Sequence, residues 1–214
     1  MMMKKIIVID NIISKKEQEN IKSKLLDNTE FPWYFIRDIT NVNFNKQSRP
    51  GFKHIFQKEY KPRVNASIIN LIVKNTAKKI KLKNYFLQEA RSFLQLPLNE
   101  KFIGNDIDTP HLDQTNNHLV FLYYVNDSDG DTVIYNYKSK SATDIPFFED
   151  IKELKRVTPK QGRVVIFDGM YWHTAQQPKN NIRCIINCNI SNNGTWQITI
   201  SMIYYNTIKE IEYE

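Results

Sequence analysis

Cysteine and glycine are both scarce in this chain. Its 214 residues include two cysteines, Cys184 and Cys188, and six glycines. On one strand these cysteines would share a face but lie too far apart to bridge easily, so no disulfide framework is expected. A chain without disulfides fits a reducing compartment, and we predict a cytoplasmic protein. The sequence has no glycine-rich loop able to cradle a phosphate, which argues against the common nucleotide-binding motifs.

Long apolar runs are also missing. No stretch reaches the length that spans a membrane, and the opening segment Met1–Asp10 is too soon interrupted to be a signal peptide. Hydrophobic residues make up 41% and aromatic residues 12% of the chain, as in a globular protein. Because the sequence shows neither an internal repeat nor a linker, we predict one domain over residues 1–214 with no membrane partner.

Acidic residues are outnumbered, with a net charge of +7 and a pI of about 9.2. Two interpretations stay open. Lys, Asn and Ile are all abundant, as an AT-rich coding sequence produces, and the surplus charge then forms a solvated basic face. The charge could instead serve an anionic partner or substrate, nucleic acid among them. We favour the first interpretation, and nothing in the sequence fixes an oligomeric state.

The first part of the chain predicts helices. Ser14 and Glu17 form a capping box that begins a helix running to about Asp27. A second helix is predicted over Val64–Lys81, where apolar residues recur at helical spacing. We therefore expect a helical support region over about residues 1–84.

From about residue 85 to residue 206 the pattern predicts a β core. Short runs of branched and aromatic residues alternate with turns, which is typical of a sandwich or jelly roll with the early helices on one outer face. The predicted strands are Tyr85–Leu98, Ile107–Asp113, His118–Asn126, Thr132–Tyr137, Leu154–Pro159, Arg163–Phe167, Trp172–Gln176, Arg183–Ser191 and Thr195–Tyr205.

The strand over Tyr85–Leu98 has an unusual polar face. Alternation places four side chains on it: Glu89, Arg91, Phe93 and Gln95. Polar groups on a buried strand must be paired or must line a cavity. We therefore expect the polar groups of this face to be paired or to line a cavity.

A possible metal site is spread over two distant stretches. His111 and Asp113 form a His-x-Asp, whose side chains share one face if the segment is a strand. A second imidazole, His173, is predicted on a strand that faces them across the sandwich. Two imidazoles and one carboxylate leave three positions of an octahedron open, which is the arrangement of non-haem Fe(II) oxygenases.

Arg183 opens the next predicted strand, ten positions after His173. A dicarboxylate that chelates iron through its keto-acid end needs a cation for its far carboxylate. Arginine provides it because it is always charged and binds carboxylates with two parallel hydrogen bonds. Alternation puts Asn187 on the same face, where it could assist Arg183 or the same carboxylate.

These stretches resemble the Fe(II)/2-oxoglutarate-dependent dioxygenases, in particular the prolyl 4-hydroxylase-like group. The likeness covers about residues 107 to 191 and includes the first iron motif, a strand ending in Tyr-Val-Asn, a turn before the following strand and a Pro-x-x-Gly strand pair. The corresponding segments are Thr109–Asp113, Phe121–Asn126, Asp129–Thr132 and Val157–Phe167.

The resemblance implies a double-stranded β-helix of the jelly-roll or cupin-like kind, mainly β with N-terminal helices. His111, Asp113 and His173 would bind iron, Arg183 the C5 carboxylate of 2-oxoglutarate, and Tyr124 would also contact this cosubstrate. The implied cofactors are Fe(II), 2-oxoglutarate and O₂, with ascorbate an optional addition. The implied reaction hydroxylates a C–H bond of a small-molecule or peptide substrate, a prolyl or other amino-acid residue in particular, and releases succinate and CO₂.

Three positions depart from the family pattern. Asp108 stands where a tyrosine is frequent, Asp129 where the first glycine of the turn is expected, and Gln95 where small members of the family often have asparagine. These changes affect the cosubstrate pocket and the entrance, so they leave the identity of the substrate open. His54 and His118 are interpreted as structural.

The sequence leaves two other functions open. An oxygenase acting on nucleic acid suits the positive charge, but the alkylation-repair demethylases carry Arg-x-Asn-x-x-x-x-Arg. Here Ile185 occupies the asparagine position, and no second arginine follows. A non-catalytic jelly-roll module could keep the metal for stability, yet such a module would not need Arg183.

Overall fold

A computed structural model describes residues 6–40, 49–63, 65–98, 107–141, 143–147 and 149–191. The strand predicted over 195–205 lies outside these residues. The prediction that residues 1–214 form one domain, with a helical support region and a β core, stays a prediction.

Two helices and eleven strands make up the described part. In chain order they are β1 (Ile7–Ile9), α1 (Lys15–Lys22) continued by a π-helical segment (Ser23–Asp27), β2 (Tyr34–Ile36), β3 (Gly51–Lys58), β4 (Lys61–Pro62), α2 (Ser67–Lys79), β5 (Phe86–Gln95), β6 (Leu119–Tyr124), β7 (Thr132–Lys138), β8 (Glu153–Val157), β9 (Val164–Asp168), β10 (Tyr171–Ala175) and β11 (Arg183–Ser191).

The predicted capping box is confirmed at the start of α1. The Ser14 hydroxyl accepts from the backbone N–H of Glu17, and the Glu17 carboxylate accepts from the backbone N–H of Ser14. Both bonds satisfy amides that the first helical turn leaves unpaired. The side chain of Gln18 is fully buried and donates to the carbonyl of Ile13, so the helix start is fixed against the segment that follows β1.

The strands form two antiparallel sheets. The larger has the order β1-β9-β6-β11-β5-β3-β2, with β4 added beside β3, and the smaller has the order β10-β7-β8. This arrangement confirms the predicted β-rich fold with N-terminal helices. The inner faces of the two sheets enclose an apolar layer that includes Leu122, Ile134, Phe167 and Ile185.

The helices cover the outer face of the larger sheet. Side chains of α1, its π-helical continuation and α2 pack there, among them Ile21, Leu25, Ile69 and Ile72. They bury alternate residues of the strands, including Cys184 and Cys188 of β11, which are both free thiols. Burial raises the pKa of each thiol to about 12, so both remain protonated.

The inner face of the larger sheet carries the polar strip predicted from alternation. Directly paired residues of neighbouring strands point to the same side. Arg91 of β5 is paired with Asn187 of β11, and Gln95 is paired with Arg183. These two pairs face the smaller sheet, with Phe93 and Ile185 paired between them.

The predicted strand over Ile107–Asp113 is wrong. Only isolated antiparallel bridges form there, Ile107 with Gln176 and His111 with His173. Pro110 lacks an N–H and cannot donate to a ladder, which interrupts regular pairing between the two bridges. Asp113 is therefore not aligned with His111 by strand alternation, and its position depends on side-chain contacts.

In the portions of the chain that the structure describes, no helix has the length and apolar character required to cross a lipid bilayer.

We expect Gly162→Ala to destabilise the fold by about 1–3 kcal/mol. Gly162 has a φ of 79°, and a Cβ there would lie 2.3 Å from the side chain of buried Gln18. The new methyl group would strain the backbone and displace the amide group of Gln18, which would break its hydrogen bond to Ile13. Chemical denaturation measures the change, with Lys16→Ala on the exposed side of α1 as the control. Equal stability of the two variants would contradict this docking role.

Candidate metal centre and cosubstrate pocket

His111 and His173 are neighbours in backbone pairing. The amide of His111 donates to the carbonyl of His173 at 2.9 Å, and the amide of His173 donates back at 3.1 Å. Their ring centroids lie 4.9 Å apart. The prediction that His173 faces His111 across the sandwich is therefore wrong. The segment around His111 extends the smaller sheet at the edge of β10.

The backbone sets the protonation of both imidazoles. Nδ1 of His111 lies 3.1 Å from the carbonyl oxygen of Thr109. Nδ1 of His173 has the same contact, 3.1 Å from the carbonyl oxygen of Tyr171. A carbonyl only accepts, so each Nδ1 carries a hydrogen, and in the neutral ring the lone pair lies on Nε2. Both rings are thus prepared to bind a metal ion through Nε2.

Asp113 reaches from the same segment to the larger sheet. Nη2 of Arg91 donates to its Oδ1 at 2.9 Å, and Nδ2 of Asn187 donates to its Oδ2 at 2.8 Å. Oδ2 also lies 3.6 Å from Nε2 of His173. A carboxylate with one donor on each oxygen still has lone pairs for a metal ion. Arg91 and Asn187 therefore orient the carboxylate without consuming it.

The charges of this cluster suit a cation. Burial alone would raise the pKa of Asp113, but the Arg91 guanidinium and the two imidazoles hold it below its ordinary value. Burial lowers the pKa of His173 to about 4, against the opposing effect of the Asp113 carboxylate. At neutral pH the cluster accordingly offers one anionic oxygen donor and a neutral imidazole, as metal binding requires.

The donor atoms are close enough to share one ion. The ligand atoms of His111, Asp113 and His173 all lie within 4.8 Å of one another. Two nitrogen donors and one carboxylate favour a transition metal over Mg²⁺ or Ca²⁺. The residues present therefore fit Fe(II), with the other coordination positions open to the cavity.

Arg183 lies buried in the same space, between the sheets. Its Nε donates to the carbonyl of Gly130 at 2.8 Å, Nη1 to Oε1 of Gln95 at 3.0 Å, and Nη2 to Oγ1 of Thr132 at 2.9 Å. Gly130 has no side chain to block this approach, since a Cβ there would lie 2.9 Å from Cδ of Arg183. The guanidinium is thus held in one orientation.

Two N–H groups of the Arg183 guanidinium have no partner among the described contacts. A guanidinium has five N–H groups, and the three bonds above use one on Nε and one on each Nη nitrogen. One N–H on each Nη nitrogen is left among the described contacts, and this pair matches the two oxygens of a carboxylate. The predicted anchor for a carboxylate is therefore geometrically available.

Asp108 and Gln95, two departures from the family pattern, are in contact. Nε2 of Gln95 donates to Asp108 at 2.9 Å while its Oε1 accepts from Arg183. Nη1 of Arg49 forms an ion pair of 3.0 Å with Asp108. Burial raises the pKa of Asp108, and the charge of Arg49 opposes that shift. The result is a buried network that supports Arg183 from one side.

Tyr124 and Asn187, which were also predicted to contact 2-oxoglutarate, lie in different positions relative to the cavity. The hydroxyl of Tyr124 is fully buried and lies 2.8 Å from Oγ1 of Thr132, which also accepts from Arg183. It supports Thr132 from behind the cavity wall. Asn187 lines the cavity but donates to Asp113. The predicted roles of Tyr124 and Asn187 in holding 2-oxoglutarate stay predictions.

The other histidines have structural surroundings, as predicted. Nδ1 of His54 lies 2.9 Å from the carbonyl of Pro32, and its ring packs against Phe31 and Phe56. His118 packs against Gly169, where a Cβ would lie 2.0 Å from its Nε2. Neither belongs to the group of metal-binding side chains found in the described residues.

A cavity of about 590 Å³ joins these groups. It is lined by the three metal-binding candidates, by Arg183 with Thr132 and Gln95, and by the segment from Ile36 to Thr40. Sequence reasoning missed Thr132, Arg49 and the role of Arg91. The polar face predicted for β5 was the signal that pointed to Arg91.

Comparison with known proteins agrees with this geometry. Residues 100–191 match the 2OG-Fe(II) oxygenase superfamily. A search of curated proteins finds no match. Among solved structures, the fold is similar to an oxidoreductase of the 2OG-Fe(II) oxygenase family from Burkholderia pseudomallei, with a TM-score of 0.60 and 12% identity over 88% of this chain and 86% of that one.

Two prolyl hydroxylases are also similar. The enzyme from Trichoplax adhaerens, solved with a peptide fragment of the hypoxia inducible factor oxygen degradation domain, has a TM-score of 0.54 and 14% identity over 87% of this chain and 83% of its own. A prolyl-4-hydroxylase from Pseudomonas putida has a TM-score of 0.53 and 10% identity, covering 88% and 93%. At such identities the likeness shows the fold, a double-stranded β-helix. The sequence match concerns the β core: residues 100–191 match the 2OG-Fe(II) oxygenase superfamily, and this match together with the fold supports a 2-oxoglutarate-dependent oxygenase.

Proposed function

We propose that this chain is an Fe(II)- and 2-oxoglutarate-dependent dioxygenase that hydroxylates a C–H bond of an amino-acid or peptide substrate, a prolyl residue foremost, with succinate and CO₂ as coproducts. The observation that carries the proposal is that one cavity is lined by His111, Asp113, His173 and Arg183. Two of the similar structures are prolyl hydroxylases by name, which supports the choice of substrate.

The metal ligands are His111, Asp113 and His173. Fe(II), when bound, supplies the activation of O₂ and the oxidation of the C–H bond. The protein contributes two Nε2 donors, a carboxylate oriented by Arg91 and Asn187, and walls that exclude water from the reacting atoms. No protein acid or base is needed, and none is assigned.

Arg183 anchors the far carboxylate of 2-oxoglutarate through its two unused N–H groups. Thr132 assists it, because Oγ1 accepts from both Arg183 and Tyr124 and leaves the Thr132 hydroxyl hydrogen for the carboxylate. Burial raises the pKa of Tyr124 to about 12, so its hydroxyl stays protonated and able to donate. Tyr124 thereby acts on the cosubstrate through Thr132.

We expect His173→Ala to abolish 2-oxoglutarate turnover, because one of three ligands is lost. The assay measures succinate release with added Fe(II), with and without ascorbate, over free amino acids, prolyl peptides and DNA oligonucleotides. Circular dichroism checks the fold, and His54→Ala is the matched histidine control for metal binding. Full turnover by the His173 variant would exclude this site, and stimulation by DNA alone would replace the proposed substrate with nucleic acid.

Arg183→Lys should raise the KM for 2-oxoglutarate about 10- to 100-fold, since one hydrogen bond to a charged group contributes about 1.5–3 kcal/mol. Lysine keeps the charge but loses the paired N–H geometry. Steady-state kinetics measure the effect, and Arg156→Lys on β8, outside the cavity lining, is the control. An unchanged KM would move the carboxylate anchor elsewhere.

Arg91→Gln should weaken metal binding about 10- to 100-fold, the usual cost of losing a group that orients a ligand. The Asp113 carboxylate would lose the hydrogen bond that holds its Oδ1 in place. Titration with Mn(II) or Co(II) reads the affinity without turnover, and Lys155→Gln on exposed β8 is the control. Equal affinity in both variants would show that Arg91 does not position the ligand.

A further inference from the structure

We propose that the primary substrate carries an anionic group, a carboxylate or a phosphate, that Lys53 binds at the side wall of the cavity with help from Arg37. This inference rests on the proposed function and deepens it by naming the chemical class of the substrate. It commits to a small molecule or a short peptide end, since the cavity has a volume of about 590 Å³.

Lys53 is directed into the cavity by the sheet register. It is paired with Phe93 of β5, and Phe93 is paired with Ile185 of β11, so the three side chains point to the same face. Arg183 and Asn187 flank Ile185 on that face of β11. Lys53 is half-buried and lines the same cavity as the metal-binding candidates.

Lys53 and Arg37 are the cations of the lining without a counterion. Among the described residues, no hydrogen bond or ion pair involves either side chain, whereas Arg91 is paired with Asp113 at 2.9 Å. The segment 41–48, which connects the region of Arg37 to β3, contains one lysine and neither aspartate nor glutamate. It therefore supplies no charge that could neutralise them.

The carboxylates of the lining are already engaged. Asp108 is paired with Arg49, and Asp113 is held by Arg91. Oδ1 of Asp38 accepts from the backbone N–H and the hydroxyl of Thr40, both from within its own segment. 2-Oxoglutarate would bind Arg183 through its far carboxylate and the metal through its near carboxylate. Lys53 and Arg37 then still have no anionic partner among the described residues of the lining.

The positive charges of Lys53 and Arg37 are placed for a second ligand beside 2-oxoglutarate, the primary substrate. Lys53 lies on β3, two strands away from the Arg183 side chain of β11, with Phe93 between them. A half-buried ammonium gains from an anion more than an exposed one does, because less water screens the pair. Phe93 adds an apolar surface beside it for the carbon skeleton of the same molecule.

The test uses matched probe pairs with the Mn(II)-loaded protein in the presence of 2-oxoglutarate. One arm compares free and N-acetylated amino acids with their carboxamides, and the other compares nucleoside 5′-monophosphates with nucleosides. Isothermal titration calorimetry measures binding, so the readout does not depend on turnover. The variants are Lys53→Met, Lys53→Arg as the charge-retaining partner, and Lys58→Met, an exposed lysine of the same strand outside the cavity lining, as the control.

We expect at least one anionic probe to bind about tenfold or more tightly than its neutral partner. Lys53→Met should remove that preference, and Lys53→Arg and Lys58→Met should keep it. The arm that binds identifies the anion as carboxylate or phosphate. Equal binding of charged and neutral probes, no binding by any anionic probe, or an unchanged preference in Lys53→Met would each overturn the proposal.

Succinate release, measured separately with Fe(II), distinguishes this inference from the proposed function. Anion binding that depends on Lys53 without any succinate release would leave the anion site standing and refute the oxygenase activity. Succinate release that responds equally to neutral probes and to their anionic partners would support the oxygenase activity and refute the anion site.

Discussion

Two backbone hydrogen bonds between His111 and His173 determine where every other group of the site must lie. They join a segment without regular strand structure to β10, and so bring two imidazoles side by side. With both rings fixed at the edge of the smaller sheet, the chain two residues further on can place Asp113 against the larger one. The three ligand candidates thus come together between the sheets, His111 and His173 through a backbone pairing and Asp113 through its side-chain contacts.

The larger sheet completes the site through the pairing of β5 with β11. Asn187 and Arg91 are directly opposite one another, and together they hold both oxygens of Asp113. On this face of the sheet one residue pair, Phe93 with Ile185, lies between them and Gln95 with Arg183, which form the other half of the pocket. The strand register therefore sets the separation between the candidate metal ligands and Arg183, and a shift by one residue would turn the side chains of the shifted strand outward.

Much of this arrangement could be predicted from the sequence. The order of His111, Asp113, His173 and Arg183 indicated the chemistry, and alternation correctly assigned the inner faces of β5 and β11. The pairing of His111 with His173 could not be predicted, because it depends on a long-range contact across an interruption at Pro110. For the same reason the contact between Asp108 and Gln95 was hidden: two departures from the family pattern turned out to be partners in one network.

The side chains of β11 alternate between the two faces of the sheet, and this affects the reactivity of its two cysteines. Its cavity face carries Arg183 and Asn187, whereas Cys184 and Cys188 point to the opposite side, under the helices. Oxidation of a cysteine requires both a thiolate and access for the oxidant. Neither condition is met for these two residues. These two oxidisable thiols therefore lie on the far side of the sheet from the candidate metal centre, behind the backbone of β11.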